Sequence, residues 1–451
     1  MSVRTLSNRS FIKGSTITFL SGIISLVVGI GTTVVLARFL GPEGRGIYAI
    51  ANLLPAFIVT FGNLGIGSAT VYYVARGDFR RQEILGNNVL LSLVMGGLGV
   101  VAGFVVVLLF RETVFPNVGT PFLLLALSLV PVMIFFNYIQ SVLLGAQQIA
   151  EYNYVQIMYS ALFLAFGSLA LVWLNSGVTG AILSDFLAYL VVVVLVFQLA
   201  RKLTGGVDLT PNRFYIKQAV SYGVQVHLSN ILAFLNYRVD MFMVNWFLGP
   251  AAVGFYAVGV GMVEKLWLIS QSAAIVLYPK VAAERDDARL KIFTPLVART
   301  VLWTTALAAL MLALLSRWIL LVLYSEAFLP AADALQALLA GVVTLGAGRV
   351  LANDMSGRGF PQLNIYSSAI AVITNVVLNI IWIPQYGIVG AAWASTVSYT
   401  VLFLSVLMFY CHLSGNSWAK VVFPQRGDWA LYWQTSKAFY RWALAKVRLV
   451  L

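Results

Sequence analysis

The chain has 451 residues, of which 60% are apolar and only 10% charged, with a formal net charge of +13 and a mean hydropathy of +0.89. A soluble domain carries roughly 25% charged residues, so most of this chain must face lipid rather than bury itself. The single cysteine, Cys411, excludes an internal disulfide.

The first residues carry Arg4, Arg9 and Lys13, then an apolar run too long for a cleavable signal and without an A-x-A-like site. This start is expected to remain as a membrane anchor. A spanning helix needs roughly 20 mainly apolar residues. Twelve stretches qualify, near 14–37, 47–74, 85–110, 121–144, 154–174, 178–200, 219–247, 252–278, 295–323, 331–355, 361–383 and 387–411. Gly41-Pro42, Arg76–Arg81, Pro116, Thr204–Pro211, Gly249-Pro250 and Pro384 punctuate them. The expected layout is a first lobe over 1–203, a linker over 204–218, a second lobe over 219–411 and a basic tail over 412–451.

FLGPEGRGIYA at 39–49 returns as FLGPAAVGFYA at 247–257, NSGVTGA at 175–181 matches QYGIVGA at 385–391, and Tyr189 matches Tyr399. The chain therefore reads as two related halves in tandem, the build of a secondary transporter. Six helices per half is an even number, so the halves are expected to be parallel repeats. Most Lys and Arg then fall on one side, which puts both termini in the cytoplasm; Arg38, Arg45, Arg111 and Arg317 are left outside. Attraction to anionic lipid accounts for the basic excess, and no nucleic-acid partner is needed. Over 428–450 a basic face (Gln434, Lys437, Arg441, Arg448) lies away from Trp429, Trp433, Phe439 and Tyr440, the pattern of an amphipathic helix in the membrane interface.

An ionisable group inside a bilayer is costly and is a functional candidate by default. The first half offers mainly amides at depth (Asn63, Asn88, Asn137, Gln140), with Asp185 in its sixth helix. The second half carries His227, Arg238 and Asp240 in helix 7 and Glu264 and Lys265 in helix 8. Arg38 and Arg45 have Trp246 and Val253 at the matching positions of the other half, so symmetric halves are lined asymmetrically. Arg238 and Asp240 point to different sides of one helix and are not a simple pair. Glu264 and Lys265 are adjacent and could neutralise one another. His227 reads either as a packed, hydrogen-bonded residue or as a proton carrier. The amides read as interhelical glue or as substrate ligands.

The chain has no G-x-x-x-x-G-K-[ST] loop, no His/Cys/Asp cluster with metal-ligand spacing and no selectivity-filter sequence. Its outer loops are all short. It reads as a transporter rather than an enzyme, with no cofactor and no metal.

Residues 14–81, with GSTITFLSGIISLVVGIGTTVVLARFLGPEGRGIYAIANL and ARGDFRR, resemble the N-terminal signature of bacterial polysaccharide-biosynthesis membrane proteins. These are oligosaccharide flippases of the multidrug/oligosaccharidyl-lipid/polysaccharide exporter superfamily. YRVDMFMVNWFLGPAAVGFYAVG at 237–259 and NVVLNIIWIPQYGIVGAAWAST at 375–396 are similar to later segments of the same family.

The resemblance implies an all-α polytopic membrane protein of twelve spans, in two six-helix bundles forming a V around a central cavity. Such a protein moves undecaprenyl-diphosphate-linked oligosaccharide from the inner to the outer leaflet of the bacterial cytoplasmic membrane by alternating access. Helices 1, 2, 7 and 8 would line the cavity. Arg38, Arg45, Arg238 and Lys265, with Asn63, become substrate-binding candidates. Asp240, Glu264 and Asp185 become candidates for coupling to a proton or sodium ion, Asp240 alternatively orienting Arg238. Polysaccharide polymerase and glycosyltransferases are the implied partners. A lipid II-type flippase resembles the same plan but has fourteen helices; a multidrug exporter usually places an acidic site in helix 1, which here lacks a carboxylate. A membrane scaffold for polysaccharide assembly is the alternative from another class.

Overall fold

The computed structural model describes residues 3–283, 287–425 and 427–428, with side chains from Leu20 onward except at 225–226, 274–276, 278–280 and 282–286. The regular elements among these residues are all helices. In chain order they are α1 (Val3–Gly62), α2 (Ile66–Arg76), α3 (Arg81–Val114), α4 (Thr120–Leu127), α5 (Leu129–Gly145), α6 (Ile149–Ser168) and α7 (Gly177–Thr204). Then follow α8 (Arg213–Leu248), α9 (Pro250–Val263), α10 (Trp267–Ala283), α11 (Asp287–Ile319), α12 (Ala331–Gly357), α13 (Gln362–Ser414) and the short α14 (Trp418–Val422). The predicted amphipathic helix over 428–450 lies, apart from Asp428, outside the described residues.

Nine helices among the described residues are long and apolar enough to cross a membrane. Two of these, Leu20–Gly62 with 43 residues and Gln362–Ser414 with 53, exceed the roughly 20 residues of one span by a factor of two or more. Each bends sharply at one glycine, Gly41 at φ 66° and Gly387 at φ 60°. Neither run is therefore one straight span. α8 has the length of a span but is not among the nine; it carries His227, Arg238 and Asp240.

The repeated sequence segments turn out to be the bends. Gly41 and Gly249 occupy matching positions and both have positive φ (66° and 82°); Gly177 and Gly387 match and do so too (58° and 60°). A side chain is strained at such angles and glycine is not, so the duplicated glycines mark where the chain reverses. The bend at the end of the chain is a correction: Pro384 was read as the break, yet it lies inside α13 and the turn falls three residues later, at Gly387. The chain leaves helical geometry at Leu64 and Gly65, between α1 and α2, where Gly62, Gly65 and Gly67 interrupt the second apolar stretch of the sequence. The 3₁₀ turn over Glu264–Leu266 had no reading in the sequence.

α1 packs on α9 and α6, α3 on α5, and α5 on α7; in the second half α12 packs on α13 and α11, and α13 on α8. The buried core is apolar, with Ile50, Leu54, Ile66, Tyr138, Tyr256 and Phe328 among its largest members. The outward surface is equally apolar: Leu93, Leu108, Leu109, Trp173, Leu314 and Trp318 are each more than 60% exposed. That distribution suits lipid as the surrounding solvent.

The stretch between α7 and α8 is held, not loose. Asn212 caps α8 by accepting from Phe214 N (2.8 Å) and Tyr215 N (3.0 Å), and its own N donates to Asn87 Oδ1 at 2.9 Å. Arg80 donates to Asp208 at 2.9 Å, and Gln82 Nε2 to Gly205 O at 3.1 Å. Hydrogen bonds from Thr210, together with the Arg80 guanidinium, hold the Asp208 carboxyl below its ordinary range.

Candidate functional site

A cavity of about 380 Å³ lies between the two halves of the chain. Its first wall comes from α1 (Thr33, Arg45, Tyr48, Asn52), α6 (Tyr159, Phe163) and α7 (Asp185, Tyr189). Facing it are Arg238 and Met241 of α8, Val260 and Gly261 of α9, and Glu264 and Lys265 of the 3₁₀ turn. The volume falls in the range of small-molecule sites, and three cations with two carboxylates line it.

The cations differ in their partners. Arg238 makes a two-pronged ion pair with Glu264, Nη1 to Oε1 at 2.6 Å and Nη2 to Oε2 at 3.3 Å. Glu264 is thus engaged by Arg238 across two helices rather than by its neighbour Lys265. Lys265 has no ion-pair partner among the described residues and reaches toward α1, where a Cβ added at Gly29 would lie 3.7 Å from its Nζ. Arg45 is 9% exposed, its guanidinium sits 5.5 Å from the Tyr48 ring centroid, and its Nε has no hydrogen-bond partner. An unpaired cation in an interior is costly. Two such cations facing one cavity are what an anionic ligand would relieve through charge-assisted hydrogen bonds.

The opposite wall is aromatic and acidic. Tyr159 donates to Asp185 Oδ1 at 2.7 Å, and Tyr48 approaches Oδ2 at 3.4 Å. Tyr189 packs on Tyr159 with ring centroids 4.4 Å apart. Sequence reading singled out Asp185 but not this tyrosine wall, although Tyr48 and Tyr189 both belong to the repeated positions and gave a signal.

Asp240 lies outside this cavity. It is 2% exposed and accepts from Tyr256 (2.6 Å), Ser395 (2.9 Å) and its own neighbour Met241 N (2.7 Å). Arg38 lies apart as well. Its Nε donates to Leu323 O at 2.7 Å and its Nη2 to Val322 O, the carbonyls that end the helical run after α11. Asn63 lines a second cavity, of about 210 Å³, with Ser68, Asn137, Gln140, Ser141, Tyr152, His227 and Asn230. No group of three or more metal-ligating side chains occurs among the described residues.

The fold is shared with solved structures of transporters, several of them described as members of the MOP superfamily. A lipid II flippase, MurJ, in an inward closed conformation superposes with a TM-score of 0.75 at 16% identity, over 88% of this chain and 87% of that one. An inward-facing multidrug resistance transporter of the MATE family superposes at 0.71 and 17%, over 87% and 96%. A MOP superfamily transporter from Pyrococcus furiosus, described as having a binding pocket of reversed polarity, superposes at 0.67 and 15%, over 91% and 96%.

Residues 11–283 match the family described as polysaccharide biosynthesis protein, and the chain belongs to that family. It is a multi-pass membrane protein. An uncharacterized membrane protein of Methanocaldococcus jannaschii is 25% identical over 202 residues, 44% of this chain; the match spans only 40% of that relative's own length. A probable low-salt glycan biosynthesis flippase of Haloferax volcanii is 21% identical over 369 residues, 81% of this chain and 76% of that protein.

Proposed function

We propose that the chain is a lipid-linked oligosaccharide flippase, which carries undecaprenyl-diphosphate-linked sugars across the cytoplasmic membrane by alternating access. The observation that carries this reading is the cavity where Arg45 and Lys265 stand without ion-pair partners beside the Arg238–Glu264 pair. A diphosphate supplies the negative charge and the acceptor oxygens those cations lack. The family and the Haloferax relative, itself described as a glycan biosynthesis flippase, support the same substrate class.

In this reading the bends at Gly41 and Gly387 divide α1 and α13, which gives twelve spans in two lobes, over 1–203 and 219–411, with both termini cytoplasmic. Arg238, Lys265 and Arg45 hold the diphosphate. Arg38 fastens one end of the transporter rather than the ligand. Asp240 and Asp185, each a carboxylate satisfied by hydroxyl donors, are the sites where a proton or sodium ion would couple to rocking, and Glu264 would couple through its pairing with Arg238. Polysaccharide polymerase and glycosyltransferases would meet the protein on either side of the membrane.

The deciding experiment reconstitutes the purified protein in vesicles carrying a fluorescent undecaprenyl-diphosphate oligosaccharide. Appearance of the label in the opposite leaflet, faster under an imposed proton or sodium gradient, is the expected result. A protein that binds the lipid yet never moves it is a scaffold, and the reading fails.

A further inference from the structure

The second cavity stands apart from the cationic one and has a different chemistry. Its lining is rich in neutral hydrogen-bonding groups: Asn63, Ser68, Asn137, Gln140, Ser141, Tyr152 and Asn230, with His227. None of the described residues lining it is Asp, Glu, Lys or Arg. It is also a built site. Gln156 Nε2 donates to Gln140 Oε1 (3.0 Å), and Gln140 Nε2 donates to Asn137 Oδ1 (3.1 Å), which fixes a relay of amides along one wall. Tyr138 OH holds the Asn63 carbonyl at 3.0 Å, while the Asn63 side-chain oxygen is buried with no partner. A buried acceptor left unsatisfied costs about 1–3 kcal/mol, and here it borders an open polar space. Both halves contribute, because α8 supplies His227 and Asn230, and beside the cavity Gly65 and Gly223 bring the α1–α2 break against α8: a Cβ on Gly65 would fall 2.2 Å from the Gly223 carbonyl oxygen.

We propose that this cavity is a subsite for neutral sugars, set apart from the site for the diphosphate. The inference rests on the flippase reading and assigns a place to the glycan. Amides and hydroxyls that both donate and accept are the groups that match sugar hydroxyls, and the absence of charge spares a neutral ring the cost of facing an ion. Spacing fixes which sugar is bound. Pro55 is the last residue of α1 to line the cationic cavity, and Asn63, just past the end of α1, lines the neutral one. Eight residues separate them by roughly 12 Å, farther than a first sugar can reach and within reach of the second or third. The oligosaccharide then runs along the α1 wall, with its diphosphate at Arg45 and Lys265 and its outer sugars among the amides. The subsite therefore selects for glycan length.

The test uses single cysteines in a Cys411→Ser background, Ser68→Cys for the neutral cavity and Thr33→Cys for the cationic one, in reconstituted full-length protein. The probes are undecaprenyl diphosphates bearing one hexose or three, and the readout is the rate of N-ethylmaleimide modification. At about five times its dissociation constant, the three-hexose lipid slows modification at Ser68→Cys about sixfold. The one-hexose lipid leaves that rate nearly unchanged while protecting Thr33→Cys as the longer lipid does. Asn230→Leu, at an exposed position of α8, removes the protection at Ser68→Cys without removing that at Thr33→Cys. Protection of Thr33→Cys alone by both lipids overturns the sugar subsite and leaves the flippase reading standing. Protection of neither position overturns both.

Discussion

Gly46 lies so close to the carbonyl oxygen of Pro250 that a Cβ on the glycine would fall 1.7 Å from it. The relation is reciprocal: a Cβ on Gly254 would fall 1.9 Å from the carbonyl oxygen of Pro42. Gly46 and Gly254 hold matching places in the repeated segments, as do Pro42 and Pro250. Around this seam Arg38 donates to the carbonyls of Val322 and Leu323, and Asn245 Nδ2 donates to Pro116 O at 3.1 Å. Each half thus fastens the end of its first long helix to a carbonyl at the end of a helix of the other half. The repeat is conserved within this chain where its two copies touch.

The seam is expected to open during transport, so bulk at either glycine should keep it open. Gly254→Leu and Gly46→Leu each move a shared backbone contact that has no room to give. Spin labels at Phe39 and Phe247, which are 49% and 37% exposed, should report a short distance in the unsubstituted protein and a longer one in either variant. An unchanged distance would show that the seam is not a closing contact.

In the central cavity, Arg238→Ala and Lys265→Ala should each slow flipping about tenfold, the size of one charge-assisted hydrogen bond, with the protein still inserted. Lys265→Arg should be milder than Lys265→Ala because charge is kept. Arg238→Lys should cost more than the Lys265→Arg exchange, since the two-pronged geometry toward Glu264 needs a guanidinium. Initial rates at matched reconstitution densities test the order.

The cap on α8 is separable from transport. Asn212→Ala removes the acceptor for Phe214 N and Tyr215 N and should cost about 1 kcal/mol. A lower unfolding temperature in detergent with an unchanged ligand affinity is the expected outcome. A change in affinity without a change in stability would contradict it.

Beyond the last long helix, Arg299 grips Asp428 with two bonds of 2.5 Å and donates to Lys420 O at 3.0 Å, while Trp303 Nε1 donates to Val422 O at 2.9 Å. These straps dock α14 and Asp428 on α11. Asp428→Ala leaves the Arg299 guanidinium buried without its carboxylate, which should destabilise the docked segment by about 3 kcal/mol and expose it to protease. Hydrogen bonds from Arg299 and from Gln425 N hold the Asp428 carboxyl below its ordinary value of 3.8. Its contribution is therefore complete above that value and fades as pH falls below it. Protease resistance of the segment should persist from neutral pH to about pH 4 and decline only in stronger acid.

The sequence by itself determined the solvent and the punctuation of this protein. Composition required lipid, and Gly41-Pro42 and Gly249-Pro250 marked breaks at matching places of the two halves, while the last break was read at Pro384, three residues before the bend at Gly387. Arg238, Lys265 and Asp185 stood out for a local reason: a charge in an apolar run has a cost that needs no partner to be seen. Arg45 was read as lying outside, and the structure instead buries it in the wall of the central cavity. Tertiary structure alone decided who meets whom. It joined Arg238 to Glu264, set Tyr159 on Asp185, removed Asp240 and Arg38 from the cavity, and moved Asn63 into a neutral one. Those outcomes depend on the rotation of each helix about its axis and on which neighbour it packs against. Both are fixed by contacts between residues far apart in the chain, to which hydropathy and spacing along one strand of sequence are blind.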